Sequence, residues 1–110
     1  MTLYLLNAPV ATSFGLFRYT EITVYNASWL MKTRPFVSAV GHESTAKLFS
    51  LTTGVDVKPS RLQVKMAPGD DAIVFWLNKR QPEGVVIDTI EELNRIGYSF
   101  GLLSMLEEDS

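Results

Sequence analysis

Cysteine is absent from this chain, and histidine occurs once, at position 42. The first absence excludes a disulfide scaffold, a thiol nucleophile and any cysteine-based zinc site. The second excludes a paired-histidine metal motif within one subunit. Positive charge is in short supply as well. Ten Lys and Arg stand against twelve Asp and Glu, a formal net charge of −2. Long nucleic acid calls for a basic face and is not an expected partner, although a small local anion site remains open. Charge is thinnest at the start, where Arg18 and Glu21 are the only charged side chains in the first 31 residues. The uncharged run from Met1 to Phe17 does not read as a membrane segment. Asn7, Pro9, Thr12, Ser13 and Gly15 interrupt it, and no basic residue precedes it. No secretory signal is visible, so a cytoplasmic protein with no membrane partner is expected.

What is there suits one domain. A chain of 110 residues, 46% of them hydrophobic, can bury a core without staples. The expected domain covers 1–106. Residues 107–110, with Glu107, Glu108 and Asp109, read as a solvated acidic tail. Leu3 to Asn7 reads as a buried strand that stops at Ala8-Pro9, because proline has no N–H for a ladder. Phe17 to Glu21 reads as a short strand or hairpin return. Thr23 can cap a helix through Met31. Phe36 to Val40 is an apolar run that reads as a central strand. A helix from His42 to Thr53 follows, with Glu43 near its positive end and Gly54 at its C-cap. Arg61 to Met66 alternates, with Leu62, Val64 and Met66 facing one way and Arg61, Gln63 and Lys65 the other. With the apolar strand Asp71 to Asn78, across the Pro68-Gly69-Asp70 turn, it is expected to form a hairpin. A second turn at Pro82-Glu83-Gly84 leads to a helix from Asp88 to Ile96, capped by Asp88 and Glu91. Gly97 ends it, and Tyr98 to Leu106 forms the last strand. The sum is an α/β (α+β) fold, a mixed sheet flanked by about three helices.

Chemistry concentrates in two segments. In Ser38-Ala39-Val40-Gly41-His42-Glu43-Ser44-Thr45, Gly41 permits unusual dihedrals and close approach of a ligand. The free N–H groups that open the helix form an anion site. His42 stands at its mouth, and imidazole is the side chain suited to proton transfer near neutrality. The same residues also fit a plain turn with a capping or surface histidine. In Asn78-Lys79-Arg80-Gln81-Pro82-Glu83-Gly84, Arg80 offers a planar fork for phosphate oxygens, and Glu83 can pair with it or accept a proton. A solvated hairpin with a surface ion pair fits this segment equally. Arg61, Gln63 and Lys65 form either the wet side of a sheet or a wall for an anionic ligand. Trp29, Trp76 and the tyrosines read as core or interface aromatics, with base stacking as the alternative. Asp70-Asp71 reads as a turn pair, not as magnesium ligands, and no metal or cofactor is expected.

Taken in order, Tyr4-Leu5-Leu6-Asn7-Ala8, the Ser38–Thr45 segment, Arg61 and Arg80-Gln81-Pro82-Glu83-Gly84 resemble the viral ring nucleases of type III anti-CRISPR systems. The resemblance runs from Leu3 to about Leu103. It implies a homodimer that binds cyclic tetraadenylate and, without metal, cuts it into linear diadenylates bearing a 2′,3′-cyclic phosphate. This silences the effectors that the messenger activates. It also implies that His42 is the general acid, with Arg80 and Glu83 as catalytic partners. Arg61 then matches a ligand-binding arginine and Asn7 a binding-loop residue, and from their own placement Gly41 and Lys65 are expected to join them in substrate binding. One position departs from the pattern: a polar residue three places after the loop asparagine is Val10 here, which leaves Thr12 or Ser13 as substitutes. Two other functions stay open, a protein that sequesters cyclic oligoadenylate without turnover and a small nucleic-acid-binding regulator.

Overall fold

A computed structural model describes residues 1–8, 13–79, 81, 84 and 86–108. In chain order the elements are β1 (Leu3–Leu6), β2 (Gly15–Ile22), α1 (Val24–Thr33), β3 (Phe36–Ser38), α2 (Glu43–Thr53), β4 (Asp71–Leu77), α3 (Ile90–Ile96) and β5 (Tyr98–Glu108). The strands form one mixed sheet in the order β2-β5-β4-β1-β3. β1 is parallel to both of its neighbours, β3 and β4. β5 runs antiparallel to β4 and to β2. The expected α+β class, with a mixed sheet and three helices in a single domain, is what the chain adopts.

Alternation along β1 explains how the layers separate. Leu3 and Leu5 enter one cluster, and Tyr4 and Leu6 border the other, as a period of two requires. All three helices pack on the first face. Ala27 and Met31 of α1, Ala46, Leu48 and Phe49 of α2 and Leu93 of α3 close over Leu3, Leu5, Ile73, Phe75 and Phe100. Within that cluster Phe49, Phe75 and Phe100 meet tilted or edge-on, with ring centroids 5.4 to 5.8 Å apart. Among the described residues no helix joins the second cluster, where Val64 and Met66, from the segment between α2 and β4, cover Leu6, Ala72, Val74, Leu103 and Met105. Toward β2 that face is open. There Tyr19 meets the half-exposed Trp76 edge to face at 6.1 Å.

Several expectations change. Arg61 to Met66 is extended chain with no ladder partner, and β4 lies between β1 and β5 instead of forming a hairpin with it. β4 is apolar on both faces, and such a strand is stabilised by two neighbours and two covered faces. β3 is a three-residue edge strand, not a central one. Its apolar continuation, Ala39-Val40, is buried because chain rather than another strand covers that edge. The Ser38 hydroxyl donates to the Lys58 carbonyl at 2.6 Å, and the Ser60 N–H donates to the Val40 carbonyl at 2.8 Å. α3 is capped one residue later than expected, by Thr89, whose hydroxyl accepts from the Glu92 N–H at 3.2 Å. β5 continues past Leu106 because Leu16 and Gly15 of β2 pair with Glu107 and Glu108. Trp29 and Trp76 are exposed, so neither belongs to the core. Among the described residues, no helix is long and apolar enough to cross a membrane.

Asp70 and Asp71 are both engaged structurally. The Asp70 carboxylate accepts from the Thr2 and Ala67 N–H groups, each at 2.8 Å. Asp71 pairs with Arg34 at 2.8 Å and accepts from the Ser104 hydroxyl at 2.5 Å.

Candidate functional site

Open sheets place their sites beyond the carboxyl ends of parallel strands. Here β1 and β3 end side by side and release Asn7 and the Ala39–His42 turn at the same rim. The turn is anchored by the Ala39 N–H, which donates to the Leu5 carbonyl at 2.9 Å. The Ser60 bond to Val40 then lays Arg61 against Gly41. A methyl group added at Gly41 would meet the Arg61 Cγ at 3.7 Å. The result is an open depression of about 460 Å³, lined by Asn7, Ala39, Gly41, His42, Arg61, Leu62 and Gln63. A larger hollow of about 610 Å³ between β2, α1 and β5 has no imidazole or guanidinium in its lining. The smaller one is therefore the candidate site.

His42 is the N-cap residue of α2, with extended φ −111° and ψ 127°. Its carbonyl accepts the Ala46 N–H at 3.0 Å, the first bond of the helix. Its side chain makes no capping hydrogen bond, so the imidazole is not consumed in holding the helix. It is exposed at the rim of the depression. The N–H groups of Glu43, Ser44 and Thr45 precede the first intrahelical bond and give the rim a partial positive charge. α2 forms where it does because Ala46 and Phe49 fall on its core face and Gly54 closes it in the left-handed region, at φ 73°.

The structure brings together four of the residues expected at a site: Asn7, Gly41, His42 and Arg61. It also corrects the reason given for Gly41. That glycine does not adopt a positive φ. What its missing side chain provides is open space beside Arg61. Lys65 lies further along the same extended segment, exposed, and does not line the depression. Ser13 turns its hydroxyl to the Met66 carbonyl at 3.4 Å, which ties it to structure. Thr12, Arg80 and Glu83 lie outside the described residues. β4 ends at Leu77 on the same side of the sheet as β1, and the following Asn78 is held by the Gly97 carbonyl at 2.9 Å and the Ser99 hydroxyl at 2.7 Å. Gln63 lines the depression beside Arg61, on the polar face that the alternation offered as a wall for an anionic ligand; Leu62, which the alternation set on the face of Val64 and Met66, lines it without having been singled out. Among the described residues, no group of three or more His, Asp or Glu side chains is placed to hold a metal ion.

Relatives of the chain include proteins of archaeal viruses and YddF of Bacillus subtilis, which is 30% identical over 109 residues, 97% of this chain and 100% of that one. The sequence pattern of the STIV B116-like family matches residues 3–100. Protein 26 of Sulfolobus islandicus filamentous virus is 38% identical over 86 residues, 78% of this chain and 73% of that one. ORF117 of Acidianus two-tailed virus is 36% identical over 103 residues, 89% of this chain and 88% of that one. Among solved structures, B116 of Sulfolobus turreted icosahedral virus superposes with a TM-score of 0.76. The identity is 23%, and the match covers 94% of this chain and 99% of that one.

Proposed function

The chain belongs to the STIV B116-like family, and from that premise and the geometry of the rim we propose that it is a metal-independent ring nuclease acting on cyclic tetraadenylate. The observation that carries this reading is the convergence of His42, Arg61, Asn7 and the open N-terminus of α2 around one depression, from three separate stretches of chain. An imidazole, a guanidinium and free backbone N–H groups are what phosphodiester cleavage by an internal hydroxyl requires.

In the proposed reaction a ribose 2′-oxygen attacks the adjacent phosphorus. The O2′–P bond forms, the P–O5′ bond breaks, and a 2′,3′-cyclic phosphate results. The departing 5′-oxygen takes its proton from the His42 imidazolium, and the 2′-hydroxyl proton passes to the Glu83 carboxylate or to water. Arg61 and the α2 N–H groups bind phosphate oxygens, and Arg80 meets the charge that develops on the phosphorane. Holding the 2′-oxygen in line with the leaving group removes several kcal/mol of barrier. A homodimer presents two copies of the site to a ring with matching two-fold symmetry, so two opposed cuts yield two identical diadenylates. The reaction would take place in the cytoplasm, that of an infected host if the chain is viral, where it removes the activator of CRISPR effectors.

The test is incubation of the purified protein with cyclic tetraadenylate in EDTA. Diadenylate should accumulate, and His42→Ala should lower kcat by roughly 10²–10⁴-fold. An intact ring, or full activity in His42→Ala, overturns the reading. Tight binding of an intact ring would instead favour sequestration.

A further inference from the structure

Leu62 does not share the burial of the residues it alternates with. Its companions two and four positions on, Val64 and Met66, are 5% and 3% exposed, but Leu62 is 48% exposed. Among the described residues it is the one large aliphatic side chain lining the His42 depression. Around it the lining is polar: the amides of Asn7 and Gln63, the Arg61 guanidinium and the His42 imidazole. Aliphatic surface held open to water forgoes the free energy of burial, which it recovers when a ligand covers it. A phosphate gains nothing from such a surface, whereas the flat apolar face of a nucleobase does. The neighbouring Gln63 amide carries one donor and one acceptor group. Adenine presents a matching pair at N6 and N7.

We infer that Leu62 and Gln63 form the base-recognition subsite of the depression. Leu62 packs on the face of an adenine, and Gln63 reads its N6/N7 edge, while the phosphates go to Arg61 and the α2 N-terminus. This rests on the reading of the site as one for cyclic tetraadenylate, and it adds which residues make the ring's bases matter. Hypoxanthine, with a carbonyl oxygen where adenine has its amino group, presents an acceptor at the place where Gln63 needs a donor.

The experiment measures calorimetric affinity for cyclic tetraadenylate and for its inosine counterpart. The parent is His42→Ala, so that neither ring turns over, and Leu62→Ser and Gln63→Leu are added to it. Leu62→Ser should weaken both rings about tenfold without lowering the melting temperature, since the side chain is half exposed. Gln63→Leu should weaken the adenine ring about tenfold and the inosine ring little, which closes the gap between them. In the protein with His42 intact, Leu62→Ser should raise KM and leave kcat near wild type. If the parent binds the adenine ring and the variants bind as it does, with the preference for adenine kept, the subsite is overturned and the ring-nuclease reading stands. If the parent and wild type bind neither ring, both fall.

Discussion

Gly41 separates two reasons for a glycine. Its φ is not positive, so an alanine can adopt its backbone conformation. The added methyl would sit 3.7 Å from the Arg61 Cγ, an ordinary contact. Replacing such a glycine removes freedom from the unfolded chain and costs the folded one nothing. Gly41→Ala should therefore melt at or slightly above the wild-type temperature. It should also raise KM for cyclic tetraadenylate several-fold, because the methyl fills space beside Arg61 that a phosphate needs. Thermal melting and steady-state kinetics on the same preparation check this, and a large drop in melting temperature would show that the position serves the fold. Gly101 is the opposite case. A side chain there would run into the Tyr19 ring that lies across it beside Trp76.

The helices show what local signals can carry. Thr23, His42 and Gly54 stand where the caps of α1 and α2 are found, because capping depends on residues within one turn. Gly54 is the sharper test. Its φ is 73°, and nothing lies within 4 Å of an added Cβ, so Gly54→Ala isolates backbone strain from crowding. A left-handed alanine costs about 1 kcal/mol. In a domain near this size that corresponds to a fall in melting temperature of roughly 4–8 °C. Gly54 closes α2 about 18 Å from His42 along the axis, so activity per folded molecule should not change. Equal kcat beside a lower melting temperature is the expected pair of readings. Strand partnership was less legible than capping, because it is settled between distant segments. Nothing within Arg61–Met66 reveals that β4 is already paired on both sides, or that Val64 and Met66 are needed as a lid on the helix-free face. The alternation set Leu62 on the face of Val64 and Met66, but it lines the depression and does not share their burial. The site was legible as residue types in Asn7, Gly41, His42 and Arg61. Their meeting was not, since it requires β1 and β3 to be adjacent and parallel.

At the scale of the whole molecule, one imidazole per chain constrains the product. In the proposed reaction, with His42 as general acid, a single protomer would bring one such group to a ring of four nucleotides. Two cuts at opposed positions therefore call for two chains about a two-fold axis. Independence of the two centres has a direct consequence. In a mixed dimer of one wild-type chain and one His42→Ala chain, separated by differential affinity tags, only one phosphodiester faces a general acid. Under single-turnover conditions this dimer should convert cyclic tetraadenylate to linear tetraadenylate ending in a 2′,3′-cyclic phosphate, at about half the wild-type rate of ring opening. Diadenylate should lag until the product is released and rebound in the other orientation. Chromatography of the quenched reaction distinguishes the two products by length. Immediate diadenylate from the mixed dimer would mean that one His42 serves both cuts, and a pair of independent sites would then be excluded.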